Sequence, residues 1–173
     1  MLKDFSIKKY LNKKPPSDNS NTTKQEILEL TKIPIREKFV KEMDDGERCM
    51  QRIVGKDPLI GKLISESRPI IDKLKKHFNR PRPKVLAKKM GVKMKDIELK
   101  TMKTPSYPSG HSVQAYLMAL TLSDKYPKYR NKLMKTAKDI SYSRRVAHAH
   151  YKSDSLFGEQ IGKDMYKHIK NKV

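Results

Sequence analysis

The chain is 173 residues long, with 36% hydrophobic and 34% charged residues, seven glycines and no tryptophan. This length suits one domain with a single core, and the composition favours a helical protein over a turn-rich β protein. Forty lysines and arginines against nineteen acidic residues give a net charge of +21, so we expect attraction to anions such as nucleotides, nucleic acids or acidic lipid headgroups. The single cysteine, Cys49, excludes an internal disulfide.

The amino-terminal region is rich in lysine and polar residues. Residues 1–23 contain little to bury, which predicts a flexible basic tail outside the core. Lysines interrupt every apolar stretch there, so we expect no secretory signal and a cytoplasmic location, in the host cytoplasm if the source is viral. Thr22 or Thr23 can cap a helix whose apolar residues run from 27 to 40. Pro34 is expected to kink or split this helix.

Four further helices are predicted from the helical spacing of apolar side chains. The first is expected to break at Pro69, and a long loop with one short helix follows it. The longest nearly apolar run, Val113 to Leu122, is ten residues long, about half of the ~20 that a spanning helix needs. We therefore predict no transmembrane segment. The predicted helices cover about residues 57–78, 109–126, 128–147 and 153–170.

These elements predict an all-α fold, a single catalytic domain over residues 24–173 built as a bundle of about six to eight helices. Three segments suited to phosphate binding fall at helix ends and adjoining loops, where we expect the active site. Phosphate offers two charges and many acceptor oxygens, so it needs several cationic donors and backbone N–H groups at a helix amino terminus. The segments are Lys75 to Arg82-Pro83, then Pro108-Ser109-Gly110-His111, then Ser143-Arg144 with His150 and Asp154.

The spacing within these segments resembles the signature of the type 2 phosphatidate phosphatase superfamily. That pattern is Lys, six residues, Arg-Pro; then Pro-Ser-Gly-His; then Ser-Arg, five residues, His, three residues, Asp. The resemblance spans roughly residues 70–165 and is nearest to the soluble class A bacterial acid phosphatases, in a superfamily that also includes vanadium haloperoxidases. Each motif alone could be a turn, a helix end or an N-cap, but three motifs in one order indicate a shared site.

The resemblance implies hydrolysis of phosphate monoesters through a phosphohistidine. It implies that His150 attacks phosphorus, that Asp154 orients the imidazole, and that His111 protonates the leaving oxygen. Elementary chemistry agrees, because a neutral imidazole held by a carboxylate is a suitable nucleophile. The remaining residues are implied to bind the phosphate oxygens: Lys75, Arg82, Arg144 and the backbone amides of Ser109 and Gly110.

Other polar side chains near the motifs receive plainer interpretations. His148 has no cysteine or carboxylate cluster at metal-ligand spacing, which favours a structural or supporting role. Arg80 and Arg145 lie beside motif arginines and could help to bind substrate, but solvated charge is the interpretation that we favour for both. We predict a site that uses neither metal nor cofactor.

The predicted substrate is a small phosphate ester, such as a nucleotide or a lipid phosphate. Lipid phosphatases of the superfamily are generally multi-pass membrane proteins and the class A enzymes are typically exported, so this chain departs from both patterns. Two alternatives therefore stay open. One is a basic module that binds nucleic acid or acidic surfaces, and the other is an interfacial lipid phosphatase held at the membrane by charge.

Overall fold

Helices and their connections make up residues 1–172, the part of the chain that the computed structural model describes. This architecture confirms the all-α prediction, and the eight α-helices of these residues fall within the expected range. None of them is both long enough and apolar enough to cross a bilayer. Short 3-10 helices lie at Lys8–Tyr10, Lys100–Lys103 and Pro127–Tyr129. The α-helices are α1 (Asn21–Thr31), α2 (Glu37–Asp44), α3 (Gly46–Val54), α4 (Pro58–Phe78), α5 (Pro83–Lys89), α6 (Gly110–Lys125), α7 (Arg130–Val146) and α8 (Lys152–Ile169).

The central element is α6, which packs along both α7 and α8. Its side chains Val113 and Leu117 are fully buried. Helix α8 comes very close to it because two glycines face α6: a Cβ at Gly158 would lie 2.6 Å from the Ser109 carbonyl oxygen, and one at Gly162 would lie 2.5 Å from that of Val113. Any side chain there would push the helices apart. The two glycines thus bring the amino-terminal ends of α6 and α8 together.

Two prolines have different effects on the predicted helices. The chain is split around Pro34 into α1 and α2, as predicted, but α4 runs through Pro69 without interruption. The predicted break at Pro69 is wrong because Leu63 on one side and Ile71 on the other are both buried in the core, and this packing offsets the lost hydrogen bond. Helix α3, which the apolar pattern missed, is capped by the Asp45 side chain.

The first residues of the chain belong to the folded domain. Leu2 and Tyr10 are buried in the main core. The Tyr10 hydroxyl donates to Asp164 of α8 at 2.5 Å, and the Leu2 N–H donates to Glu66 of α4 at 2.8 Å. The expectation that residues 1–23 lie outside the core is therefore wrong. Isolated apolar residues among lysines show no helical or strand periodicity, so their burial could not be predicted from the sequence. They pack against the core once the helices have assembled.

Candidate active site

The three predicted motifs meet at one end of the bundle. One guanidinium nitrogen of Arg82, Nη1, lies 2.9 Å from Nε2 of His150. The Lys75 side chain runs beside the start of α6, so that a Cβ on Gly110 would lie 3.7 Å from Cε of Lys75. The eight predicted residues come from every motif: Lys75 in the last turn of α4, Arg82 before α5, Ser109, Gly110 and His111 at the start of α6, Arg144 in the last turn of α7, His150 between α7 and α8, and Asp154 in the first turn of α8.

His150 is held from both of its ring nitrogens. Its Nδ1 lies 2.9 Å from Oδ2 of Asp154, and its Nε2 faces Nη1 of Arg82. Since a guanidinium only donates hydrogen bonds, Nε2 must accept, and the ring proton therefore sits on Nδ1 and points at the carboxylate. The result is a neutral imidazole whose nucleophilic lone pair on Nε2 lies beside a cation. The side chain is 3% exposed.

Asp154 is completely buried and accepts several hydrogen bonds. Besides His150, Oδ2 accepts from the Tyr151 N–H at 3.1 Å and from the Ser106 hydroxyl, while Oδ1 accepts from Nη1 of Arg80 at 2.8 Å. Burial raises the pKa of Asp154 to about 6, and the Arg80 charge with the hydrogen bonds opposes this rise. The carboxylate is therefore ionised at neutral pH and can hold the His150 ring.

Cations crowd the site and shift one another's ionisation. Burial is the main cause that lowers the pKa of Lys75 to about 7, and Arg82 adds to the effect. Burial, followed by the charges of Arg82, Lys75 and Arg144, holds the pKa of His150 well below its usual range. His150 is consequently neutral through the mildly acidic range, whereas Lys75 is charged only up to about neutral pH. A bound phosphate dianion would neutralise this excess of positive charge.

Protein oxygens occupy the guanidinium donors in this structure. Arg82 donates from Nη2 to the Thr101 carbonyl oxygen at 3.2 Å. Arg144 donates to Asp44 at 2.9 Å and to the Thr101 hydroxyl at 3.0 Å. The Lys75 ammonium donates to a backbone carbonyl of the same loop at 2.7 Å. Three cations therefore converge on acceptors of the kind that phosphate provides.

The start of α6 differs from the predicted arrangement in one respect. The Ser109 N–H donates to the carbonyl oxygen of Asp154 at 3.1 Å, so this amide joins α6 to α8 and is not open to a phosphate. The Ser109 hydroxyl caps the helix by accepting from the Ser112 N–H. The N–H groups of Gly110 and His111 come first in the helix and have no acceptor within it. They are the amides that the helix end offers to an anion.

His111 contacts a residue that the motifs do not include. Its Nε2 lies 2.7 Å from the carbonyl oxygen of Asp44 and 3.5 Å from the carboxylate of the same residue. Burial and the charge of Arg144 lower the pKa of His111, and the hydrogen bonds with Asp44 oppose this. A cavity of about 280 Å³ opens beside the ring, with Glu47 and Arg68 among its lining residues. This cavity has room for the group attached to a phosphate.

Arg80 is also part of the site, contrary to its interpretation as solvated charge. The residue is 1% exposed and its guanidinium binds Asp154. The available signal was the doubled Arg-Pro in Arg80-Pro81-Arg82-Pro83, but nothing in the spacing shows which arginine turns inward. Glu26 of α1 reaches the same guanidinium at 3.3 Å, and no motif indicated it.

Two other residues match their plainer interpretations. The ring nitrogens of His148 lie 2.5 Å from the Lys95 carbonyl oxygen and 2.8 Å from that of Ile33, so this side chain ties two loops together. Arg145 is half-buried and lies 5.1 Å from the centre of the Tyr142 ring. In residues 1–172, no group of three His, Cys, Asp or Glu side chains has the arrangement of a metal site. The metal-free site stays a prediction.

The chain belongs to the PAP2 superfamily, whose sequence profile matches residues 61–163. This agrees with the resemblance noted from the motifs. Among curated proteins, the chain is similar to the non-specific acid phosphatases of Salmonella typhimurium (strain LT2) and Salmonella typhi. Each is 35% identical over 88 residues, which cover 51% of this chain and 35% of the relative's own length. The matched family segment contains all eight predicted site residues, whereas Glu26 and Asp44 lie outside it.

Proposed function

We propose that this protein hydrolyses phosphate monoesters without a metal ion, through a phosphohistidine formed on His150. One observation carries the proposal: the accepting Nε2 of a buried, carboxylate-held histidine lies 2.9 Å from the Arg82 guanidinium, and the charges of Lys75 and Arg144 also act on this ring. That combination provides a nucleophile together with charge stabilisation for the transferring phosphoryl group. The names of the two Salmonella relatives support the same reaction class.

When the substrate binds, its phosphate oxygens replace protein oxygens as the hydrogen-bond acceptors of Arg82 and Arg144. His150 is 2% exposed, so an incoming phosphate has to take the places of the Thr101 carbonyl and the Asp44 carboxylate on Arg82 and Arg144. The phosphate oxygens then receive the same N–H donors, supplemented by the first amides of α6. Nη1 of Arg82 also turns from Nε2 of His150 to a phosphate oxygen, which frees the Nε2 lone pair and brings phosphorus within its reach.

The reaction then proceeds in two balanced steps. In the first, Nε2 of His150 forms a bond to phosphorus while the bond from phosphorus to the ester oxygen breaks, and the leaving oxygen takes a proton from His111. Asp154 stabilises the positive charge that develops on the His150 ring. In the second step, water attacks phosphorus, the P–N bond breaks, and His111 accepts the proton of the water. Inorganic phosphate is released and both histidines return to their starting states.

The proposed substrate class is a small phosphate monoester, such as a nucleotide or a lipid phosphate. The cavity beside His111 supports this size range, because the leaving group must lie next to the proton donor. The site accepts phosphate through cations and amides alone, so recognition of the phosphoryl group requires no particular alcohol.

Hydrolysis of an aryl phosphate by the purified full chain tests the proposal. We expect turnover that persists in chelator and is inhibited by vanadate, which mimics the phosphoryl transition state. His150→Ala should reduce the rate by at least about a thousandfold. His77→Ala is the matched control, because this exposed histidine lies between Lys75 and Arg82 in sequence yet has no place in the site. Activity that vanishes in chelator, or that survives His150→Ala, would contradict the proposal.

The net charge of +21 supports a second candidate, a module that binds nucleic acid or acidic surfaces. Such binding would weaken steeply with salt and would be unaffected by His150→Ala. Mobility-shift measurements with a DNA duplex at several salt concentrations test it. Flotation with anionic vesicles tests the interfacial version of the phosphatase, in which lipid phosphate is the substrate.

A further inference from the structure

A buried chain of charges extends behind the proposed nucleophile. Asp154, which holds His150, is itself held by Arg80, whose Nη1 donates to Oδ1 at 2.8 Å and to the Ser153 hydroxyl at 2.7 Å. The guanidinium carbon of Arg80 lies 3.7 Å from the centre of the Tyr151 ring, a cation–π distance. The side chain of Arg80 has no exposed surface. The Arg80 guanidinium therefore binds Oδ1 of Asp154, whereas Oδ2 of the same carboxylate faces His150.

Glu26 completes this chain from the opposite side. Its Oε2 lies 3.3 Å from Nη2 of Arg80 and accepts from the Ser153 hydroxyl at 2.8 Å, while its Oε1 accepts from the Ser153 N–H at 2.7 Å. The carboxylate thus fixes both Arg80 and the first turn of α8, which carries Asp154. Glu26 comes from α1, outside the segment that the family profile matches.

We propose that Arg80 is a positioning residue which, anchored by Glu26, orients the Asp154 carboxylate toward Nδ1 of His150 and sets the charge that this histidine experiences. The proposal rests on the proposed function, since it concerns the nucleophile of that reaction. Neither residue touches the substrate. Both act through Asp154.

A purely stabilising role accounts poorly for this network. A buried ion pair costs desolvation that its attraction often fails to recover, so apolar residues of similar volume would serve a merely structural purpose at least as well. Glu26, Arg80 and Asp154 instead form a chain of contacts with alternating charge that ends at His150. The groups that face Asp154 come from all the surrounding segments: Arg80 and Arg82 after α4, Lys75 within it, Tyr107 before α6, His150 and Tyr151 before α8, and Glu26 behind Arg80.

Because Arg80 and Glu26 carry opposite charges, removing one or the other should shift the pH dependence of kcat/KM in opposite directions. His150 must be neutral to attack, so kcat/KM falls on the acid side as the histidine and its carboxylate take up a proton. Removal of the Arg80 cation favours proton uptake, so the acid limb should move to higher pH. Removal of the Glu26 anion disfavours proton uptake, so the limb should move to lower pH.

The experiment measures kcat/KM for one aryl phosphate as a function of pH in a set of full-length variants. The quantity compared is the pH of the acid limb, that is, the pH at which kcat/KM falls on the acid side of the profile. Because every variant meets the same substrate, ionisation of the substrate cancels in the comparison. We expect Arg80→Met to move the limb upward by about one pH unit and Glu26→Gln to move it downward by about half a unit. The Arg80→Met/Glu26→Gln double variant should lie between the two single variants.

Two further variants separate this effect from damage to the fold. Arg145→Met removes an arginine that follows Arg144 in sequence and is half-buried beside the Tyr142 ring. This variant should not change the pH of the acid limb. Arg80→Lys keeps the charge without the two-sided grip of a guanidinium, so kcat should fall about tenfold with little movement of the limb. If Arg80→Met fails to fold, Glu26→Gln and Arg80→Lys still report separately on charge and on orientation.

Limbs that stay at the wild-type pH in both Glu26→Gln and Arg80→Met, or that move in the same direction, would overturn the proposal. The wild type and His150→Ala are measured in the same series. Loss of the dependence on His150 would overturn the proposed function itself, whereas unchanged limbs with that dependence intact would overturn only the role of Arg80 and Glu26.

Discussion

The matched segment and the sixty residues before it contribute to the site in different ways. Residues 61–163 contain the proposed nucleophile, the proposed proton donor and the cations proposed to bind phosphate, all at or beside helix ends. The preceding residues supply Glu26 and Asp44, which touch Arg80, Arg144 and His111. In the proposed mechanism the first region provides the groups that meet the substrate, and the second provides groups that contact and hold them. The groups proposed to react thus all lie within the matched segment, whereas some of the residues that orient them lie outside it.

The largest effect expected from the amino-terminal region concerns Asp44. Asp44→Asn removes the negative charge that lies 3.5 Å from His111. The pairing of this charge with Arg144 is the contact that the incoming phosphate replaces, so the contact with His111 is the one that bears on the leaving group. The hydrogen bond with His111 is the main reason that the pKa of Asp44 is lowered, so the same contact favours the protonated histidine that the leaving group needs. We expect kcat/KM to fall about tenfold for an alkyl phosphate and much less for an activated aryl phosphate.

Glu42→Gln is the matched control for this comparison, because Glu42 lies on the same helix as Asp44 but is exposed and outside the lining of the cavity. It should leave both rates near those of the wild type. Equal losses on the alkyl and aryl substrates in Asp44→Asn would show that Asp44 has no influence on the proton donor.

A smaller effect concerns the alkaline side of the pH profile and tests the motif region. Lys75 is charged below its pKa of about 7, so binding of a phosphate dianion should weaken as the pH rises through this value. With an activated aryl phosphate, which needs little help from His111, kcat/KM should therefore decline above about pH 7. Lys75→Arg keeps the charge at all these pH values and should move the decline upward by more than one unit. The same alkaline limb in wild type and variant would exclude Lys75 as its source.

The smallest effect tests whether the first residues are part of the fold. Tyr10→Phe removes the hydroxyl that binds Asp164 and keeps the buried ring. We expect a loss of about 1 kcal/mol in the free energy of unfolding, measured by urea denaturation, with kcat unchanged. Tyr142→Phe, at an exposed tyrosine, should leave the urea midpoint in place. Equal midpoints for the two variants would mean that the amino-terminal contact adds nothing to stability.

Much of the fold was predictable because it depends on local patterns. Helices α6, α7 and α8 follow from apolar spacing, and the separation of α1 from α2 follows from Pro34. The continuity of α4 through Pro69 and the burial of Tyr10 depend on tertiary packing, which outweighs the local signals. A short helix such as α3 carries too few apolar residues for its period to be recognised.

The site residues also divide into those that local sequence patterns predict and those whose placement depends on tertiary packing. His111, His150 and Asp154 could be proposed because motif spacing and the chemistry of each residue agree. The inward orientation of Arg80 could not, because the sequence places it beside Arg82 without saying which side chain is buried. The role of the Ser109 amide also depended on the approach of α8, which two glycines control and no motif records.

Trapping the covalent intermediate is the most direct test of the central claim. The full chain is mixed with a ³²P-labelled phosphate monoester, quenched within one turnover, and digested for peptide mapping. We predict a label that is lost in acid, survives in alkali and maps to the peptide containing His150, with none on His150→Ala. A label that is stable in acid, a label on another residue, or product formed in a single turnover without any labelled protein would contradict the account.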